Sequence, residues 1–500
     1  MRLTPKLIYL LLFVAFSIKP APAQEQLGLV TGNYAGINGL TLNPSSGMTS
    51  KLYLDVNIAS ANVFSQNNFL YMRKENYYLP DFFKKGYQLP LHPVEGIVGE
   101  RPFYLYGGDH PKQFHTSVEA MGPSFMISNN QMSYGLYTSS RVVSNVRNLP
   151  IDMANFFYYG IGYDPQHMER YTHSHKYTIS ALGYTEIGLV SSYTFKGYSK
   201  EMISVGGAFK LLYATTGIHY KGGPIDYMVP DDETINIYNF NGDINFAAPV
   251  DYSNNELGGD RVQGRGVAFD LGITFQKNYS WPSSVRYRKP CFQRYEKYKY
   301  RIGLSLLDIG KIWFNENARS YSYVNSSGIF NNVDSIQNLI TTPDELIQQM
   351  NNHLCGSEDC NLPANSFFMN PPAAVSLQFD YHIKENWYVN STYIQSLPVG
   401  AYQVYRPSVL AVIPRYESRI LEVAVPVSLY DYEWPRLGLS VRIYNLTIGT
   451  EKLTGFFNYW DFSGLDLYVG LKFNLEKGFC RGKYRAVPCP DLPEVQRIKN

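Results

Sequence analysis

The sequence predicts an all-β protein: a transmembrane antiparallel β-barrel of 12 to 14 strands, with an N-terminal segment lodged in the lumen as a plug and long extracellular loops. Three observations predict it: strictly alternating stretches of strand length, an export signal, and an excess of tyrosine. The clearest alternating stretch is GVAFDLGITFQ. There Val267, Phe269, Leu271, Ile273 and Phe275 interleave with Ala268, Asp270, Gly272, Thr274 and Gln276. Successive side chains of a strand point to opposite faces, and a tilted strand of about ten residues crosses a hydrocarbon core of about 30 Å. The split recurs in Leu465, Leu467, Val469, Leu471 and Phe473 against Asp466, Tyr468, Gly470, Lys472 and Asn474. It recurs in Val375, Leu377, Phe379 and Tyr381 against Ser376, Gln378, Asp380 and His382, and in Leu437, Leu439, Val441 and Ile443 against Arg436, Gly438, Ser440 and Arg442. Charges occupy only the second face. A sandwich with one wet face also alternates, but mixing small with charged residues on that face is the habit of a barrel lumen.

The N-terminus reads as a secretory signal over residues 1–23. Arg2 and Lys6 form the basic start, Leu7 to Ile18 the apolar run, and Ala21-Pro22-Ala23 the small-residue cleavage site before Gln24. That run is too short to span as a helix, and no later run is long and apolar enough. Mean hydropathy is mildly negative, at −0.24, with 45% hydrophobic residues, as suits strands that are only half apolar. The net charge of +2 argues against nucleic acid as a partner. Tyrosine, with 43 residues, suits an aromatic girdle at the membrane–water interfaces; a Tyr-rich binding surface is the competing use.

In chain order, 24–50 is the plug segment, 51–476 the barrel and 477–500 a periplasmic tail. GNYAGINGLTLNPSSG, from Gly32 to Gly47, carries Asn33, Tyr34, Gly36, Asn38, Asn43 and Pro44. Its Gly, Asn and Pro favour tight turns over strand or helix. A compact stretch of this kind threads into the lumen or hangs as a periplasmic arm. Twelve strands are expected near 51–65, 115–127, 132–146, 175–197, 202–216, 264–277, 297–314, 370–383, 386–397, 417–430, 436–449 and 464–475, and a hairpin within 233–250 would raise the count to fourteen. Short connections at 129–131, 197–201, 384–386 and 431–435 read as periplasmic turns. Long ones at 66–114, 147–174, 217–263, 315–369, 398–416 and 450–463 read as outer loops. The stretch 278–296 is long for a periplasmic link and basic, with Arg286, Arg288, Lys289 and Arg294.

Five cysteines fit an oxidising compartment. Cys355 and Cys360 share an outer loop, Cys480 and Cys489 share the tail, and Cys291 is left over or pairs with either tail cysteine. No hydrolase, phosphate-loop or zinc motif stands out, so no enzymatic activity, catalytic residue, metal or cofactor is expected. His173 and His175, with His167 nearby, lack a third ligand. His115 and Ser117 fall on the same luminal face as Glu119, not on the lipid face a barrel hydrolase would need. The better candidates for function are the lumen-facing charges Glu186, Asp270, Asp380, Arg436, Arg442 and Lys472. They select solute, pin a plug or pair with one another; on the lipid face such charges would cost up to about 2–4 kcal/mol. On this reading Phe269→Arg and Val469→Arg impair assembly, and Ala268→Arg is better tolerated.

The stretch NYAGINGLTLNPSSGMTSKLYLDVNIASANVF resembles the start of an uncharacterised outer-membrane barrel family of Bacteroidota. GVAFDLGITF followed by YKYRIGLSLLDIGKIWF is similar to the same family and, more distantly, to FadL-type barrels, PorV among them. The resemblance implies a monomeric barrel with its N-terminal segment inside, in contact with outer-membrane lipid, and implies no substrate; FadL-type barrels carry hydrophobic compounds. Some relatives continue into a peptidoglycan-binding domain, which this chain does not show. The expected function is an outer-membrane transporter of small or hydrophobic solutes, or an accessory in cell-surface assembly that holds a periplasmic or surface protein. The alternative is a secreted or surface-exposed Tyr-rich binding protein without a pore.

Overall fold

The computed structural model describes residues 25–479 apart from 79–80, 83, 85, 97–98, 109, 130, 197–199, 283–288, 334–341, 358–360 and 457–459. The signal sequence, Arg286, Arg288, Cys360, Cys480 and Cys489 lie outside the described residues.

A closed antiparallel barrel of 14 strands forms the body. Its strands are β1 Leu52–Asn67, β2 Lys112–Met121 continued by Ser124–Asn129, β3 Met132–Leu149, β4 Tyr177–Lys196, β5 Glu201–Met228, β6 Gly264–Asn278, β7 Tyr298–Phe314, β8 Ala374–Lys384, β9 Trp387–Ser396, β10 Val409–Glu417, β11 Leu421–Ala424 continued by Val427–Tyr430, β12 Trp434–Leu437 continued by Leu439–Ile443, β13 Leu446–Thr450 and β14 Asp466–Glu476. β14 returns to β1 in a register running from Leu54 opposite Leu475 to Phe64 opposite Asp466, and this pairing closes the wall.

The alternation is realised inside out. Phe269 is 49% exposed while Asp270 beside it is fully buried, and Leu471 is 42% exposed beside Lys472 at 1%. Large apolar residues therefore coat the exterior, and polar and charged ones fill the interior. A closed wall leaves no unpaired strand edge in lipid, which permits it to span a membrane.

Fourteen strands are reached by a different route from the one the sequence suggests. The expected hairpin within 233–250 is not part of the wall: Ile235–Ala247 pairs with the outer half of β5 and with Ala318–Phe330. β5 is far longer than a crossing requires, so its inner half pairs with β6 while its outer half leaves the barrel to build this sheet. The two additional wall strands come from elsewhere. β10 lies within the expected loop 398–416, and the expected strand 436–449 is two strands, β12 and β13, folded at Tyr444 and Asn445. In consequence the turn 431–435 sits at the long-loop end, where Asp431 N–H bonds Ser408 O, and not at the periplasmic end.

The N-terminal segment also departs from expectation. It is not turns alone but three single helical turns, Leu27–Val30, Ile37–Leu40 and Ser46–Thr49, joined by a link with Gly32 and Gly36 and by one with Asn43 and Pro44. Gly36 is the position where glycine is obligatory: its φ is +57°, and a Cβ would collide with the Asp55 carboxylate. Gly36→Ala is expected to destabilise the seated segment by about 1–3 kcal/mol, read as a lower midpoint in thermal unfolding of the purified protein. An unchanged midpoint would mean that the segment does not depend on this approach.

Candidate functional site: the occupied lumen

Residues 25–50 lie among the inward side chains of the barrel, and wall residues from opposite sides hold their backbone. Asp55 on β1 accepts from Ile37 N–H at 2.8 Å, and Ser305 on β7 donates to Leu42 O at 2.7 Å. Lys472 on β14 donates to Tyr34 O at 3.0 Å and Ala35 O at 2.6 Å, and Arg301 on β7 donates to Thr49 O at 2.8 Å. Side chains add to this. Asn33 accepts from Arg301 at 2.6 Å and donates to Glu417 at 2.9 Å, Asn43 donates to Gln378 at 2.9 Å, and Asn38 donates to Ser60 at 3.3 Å. Pro44 packs so closely on Gly206 of β5 that a Cβ there would meet its backbone at 2.6 Å. Apolar residues share the seat: Ile37 and Leu40 are buried with Met121, Met126 and Val190 of the wall. Between the segment and the wall is a cavity of about 70 Å³ whose lining includes Asn33, Asn43, Thr274, Arg301, Gln378 and Asp380. That is far below the roughly 300–1,000 Å³ of a small-molecule site.

The middle of the lumen is crossed by one ion-pair network. Lys210 on β5 bridges Asp270 and Asp308, both at 2.6 Å. Arg141 on β3 joins Asp308 and Glu186, both at 3.1 Å, and Glu119 at 3.7 Å. The network reaches the segment through Arg406, which pairs with Glu25 at 2.7 Å and with Asp308 at 3.3 Å. Arg406 belongs to the outer connection 397–408, which folds inward. Val404 of this connection is fully buried in an apolar cluster with Leu182, Leu212, Ala268, Ile312 and Phe314. Burial opposes the charge on Arg406, but Glu25 and Asp308 outweigh it and hold its pKa above the ordinary arginine value.

All six charges singled out in the sequence point inward and are buried. Glu186, Asp270, Asp380, Arg442 and Lys472 are drawn into ion pairs, the last three with Arg415 at 2.8 Å, Glu422 at 3.0 Å and Asp55 at 3.4 Å. Arg436 is the exception and bonds neutral Gln66 at 2.7 Å. Their partners were missed because the pairs are distant in sequence, although Lys210 shares the inward parity of Ala208 and Leu212. Asp308 was hidden by a bulge: it has φ +55° and, with Leu307, turns inward where strict alternation would send one of the two outward.

Elsewhere, the His173 imidazole is bonded to Asp152 at 2.9 Å, which also accepts from Tyr227 at 2.6 Å, within an outer cap in which the helix Ile151–Tyr159 packs on the sheet built by the outer half of β5. His115 and Ser117 are buried inside, with His115 on Asn145. In the basic stretch 278–296 Lys289 and Arg294 are exposed, and Cys291 O accepts from Gly478 N–H at 2.8 Å, which brings the residues just past β14 against that stretch.

A closed barrel with an apolar exterior and a charged interior defines an integral outer-membrane protein, and the soluble secreted alternative is set aside by that exterior. Within that class, the chain belongs to DUF5723, a family of unknown function, which it matches over residues 44–451. No curated protein matches it. Among solved structures it is similar to the toluene transporter TbuX of Ralstonia pickettii, at 10% identity over 92% of this chain and 100% of that one, with a TM-score of 0.40. It is also similar to a mutant of the monoaromatic hydrocarbon channel TodX, at 9% identity over 89% and 95% and a TM-score of 0.39. A Pseudomonas aeruginosa FadL homologue follows at 8% identity over 91% and 98%, with a TM-score of 0.21. Likeness at these values carries no functional argument.

Proposed function

We propose that this protein is a gated outer-membrane transporter of small or hydrophobic solutes. In this reading residues 24–50 are the plug, 51–476 the barrel and 477–500 a periplasmic tail. The supporting observation is that residues 25–50 bond inward wall residues on β1, β7 and β14 and share the lumen with the wall's own charged side chains. Barrel diameter grows with strand number, and about eight strands already give an interior that side chains just fill. A 14-strand barrel therefore needs added material to be tight, and material held largely through exchangeable hydrogen bonds is removable. Cys291 and Cys355 belong, in this reading, to disulfides; the contact of Cys291 with Gly478 favours a tail cysteine as its partner. The packed outer cap favours a second reading, an accessory in surface assembly, in which the plug never leaves.

A reversible lock separates the two. Asn38→Cys with Ser60→Cys joins the segment to β1 where the native side chains are 3.3 Å apart. In proteoliposomes the oxidised double variant is expected to block uptake of a small hydrocarbon and a reductant to restore it, with the wild type indifferent to both. Uptake no faster than in protein-free liposomes, or uptake that ignores the lock, would overturn the reading.

A further inference from the structure

Three cations at one corner of the outer lumen lie together with buried donors left unmade. Elsewhere Arg141, Lys210, Arg406, Arg415, Arg442 and Lys472 have carboxylate partners, Arg301 is met by the neutral acceptors Gln276, Asn33, Thr49 O and Tyr295, and Lys112 donates to Tyr106 O and Gly108 O. Arg147, Arg436 and Lys452 make no ion pair among the described residues. Arg436 and Lys452 both donate to the neutral Gln66 carbonyl, at 2.7 and 3.1 Å, and Arg147 lies on the Tyr405 ring at 3.6 Å.

The three cations belong to a single corner. Gln66 on β1 stands opposite His115 on β2, which stands opposite Asn145 on β3, two residues from Arg147. Arg436 covers the Phe64 ring at 4.5 Å, and His115 meets the same ring at a centroid distance of 5.6 Å. Nearby carboxylates are taken by neutral donors. Asp431 accepts from Tyr405 Oη and Ser408 N–H, Glu451 accepts from Leu27 N–H, and Asp466 accepts from Glu451 N–H. Buried donors remain without acceptors: Arg436 Nε, Arg147 Nε and Asn145 Nδ2, in residues of which Arg436 is 6% and Asn145 1% exposed. Buried donors are rarely left unmade, because each costs its desolvation. Burial, with Arg436 close by, lowers the Lys452 ammonium to about 7, a state that an added negative charge would relieve.

We propose that this corner is a binding site for an oxyanion, the carboxylate or phosphate group of a solute arriving from outside, held by Arg147, Arg436 and Lys452 with Asn145 as neutral donor. The site deepens the transport reading by naming a head group, but it is tested by binding. An uptake failure with binding intact would sink the transport reading alone.

The test is isothermal titration of the folded, detergent-solubilised protein with inorganic phosphate and, separately, acetate, at constant ionic strength with chloride as the balancing anion. Saturable binding of one or both is expected, and the stronger of the two names the head group. Lys452→Met and Arg436→Gln are each expected to weaken it about ten- to a hundredfold, the loss of a charge-assisted hydrogen bond. Arg265→Gln, an exposed cation on the outer wall, leaves it unchanged. Absence of saturable binding by either anion, or equal binding in all variants, overturns the site. Should Arg436→Gln fail to fold, as judged by the heat-dependent gel shift of barrels, Lys452→Met decides, because its side chain lies beyond β13 and outside the wall's ladder.

Discussion

Lys210→Met is expected to lower the stability of the barrel by about 3–5 kcal/mol, the usual result of removing one partner from a buried ionic group. Lys210 is 1% exposed and is the cation shared by Asp270 and Asp308, so the substitution leaves two carboxylates facing one another across β6 and β7. Arg141 and Arg406 still neutralise Asp308, but Asp270 keeps only the Asp308 N–H, at 2.7 Å. Adding Asp270→Asn should therefore recover part of the loss, and the double variant should be more stable than Lys210→Met alone. Urea unfolding in lipid vesicles, followed by tryptophan fluorescence, measures both. A single-variant loss below about 1 kcal/mol would mean that water replaces the ammonium, so that the lumen is wet at this level.

The second large effect concerns neighbouring residues on opposite faces. Phe269→Arg places a charge on the lipid side and is expected to cost about 2–4 kcal/mol near the midplane. Ala268→Arg, which alternation alone marks as the tolerated change, is expected to be at least as damaging. Ala268 does face inward, but it is fully buried between Leu212, Ile312 and Phe314, and a Cβ on Gly310 would already meet it at 2.5 Å. There is no space there for an arginine side chain. Assembly into outer membranes, scored by the heat-dependent gel shift, should fail for both variants. Normal assembly of Ala268→Arg would show that the apolar cluster beneath the 397–408 connection opens readily.

The wall was legible because its physics is local: parity along a strand separates lipid from lumen without knowledge of any partner. Errors arose where local signals mislead. Pro414, which cannot donate to a ladder, argues against a strand at 409–417, yet β10 accommodates it while Pro414 O accepts from Val425 N–H at 3.0 Å. The β12–β13 turn uses Tyr444 at φ +51° and has no glycine or proline to mark it, so two strands read as one. The outer sheet was mistaken for wall because Ile235–Ala247 has strand character whichever sheet it joins. The lumen was legible as a set of inward charges and not as a network. Arg406 and Glu25 are 381 residues apart, and no spacing rule connects them.

The sequence separation of the segment's contacts also sets an order of events. Leu27 bonds Glu451 across 424 residues, and Lys472, near the end of the last strand, holds Tyr34 and Ala35. These acceptors and donors stand in register only after β14 has closed on β1. Residues 25–50, which precede every wall strand in the chain, therefore take their seat last, and their seating reports that the strands have found their places.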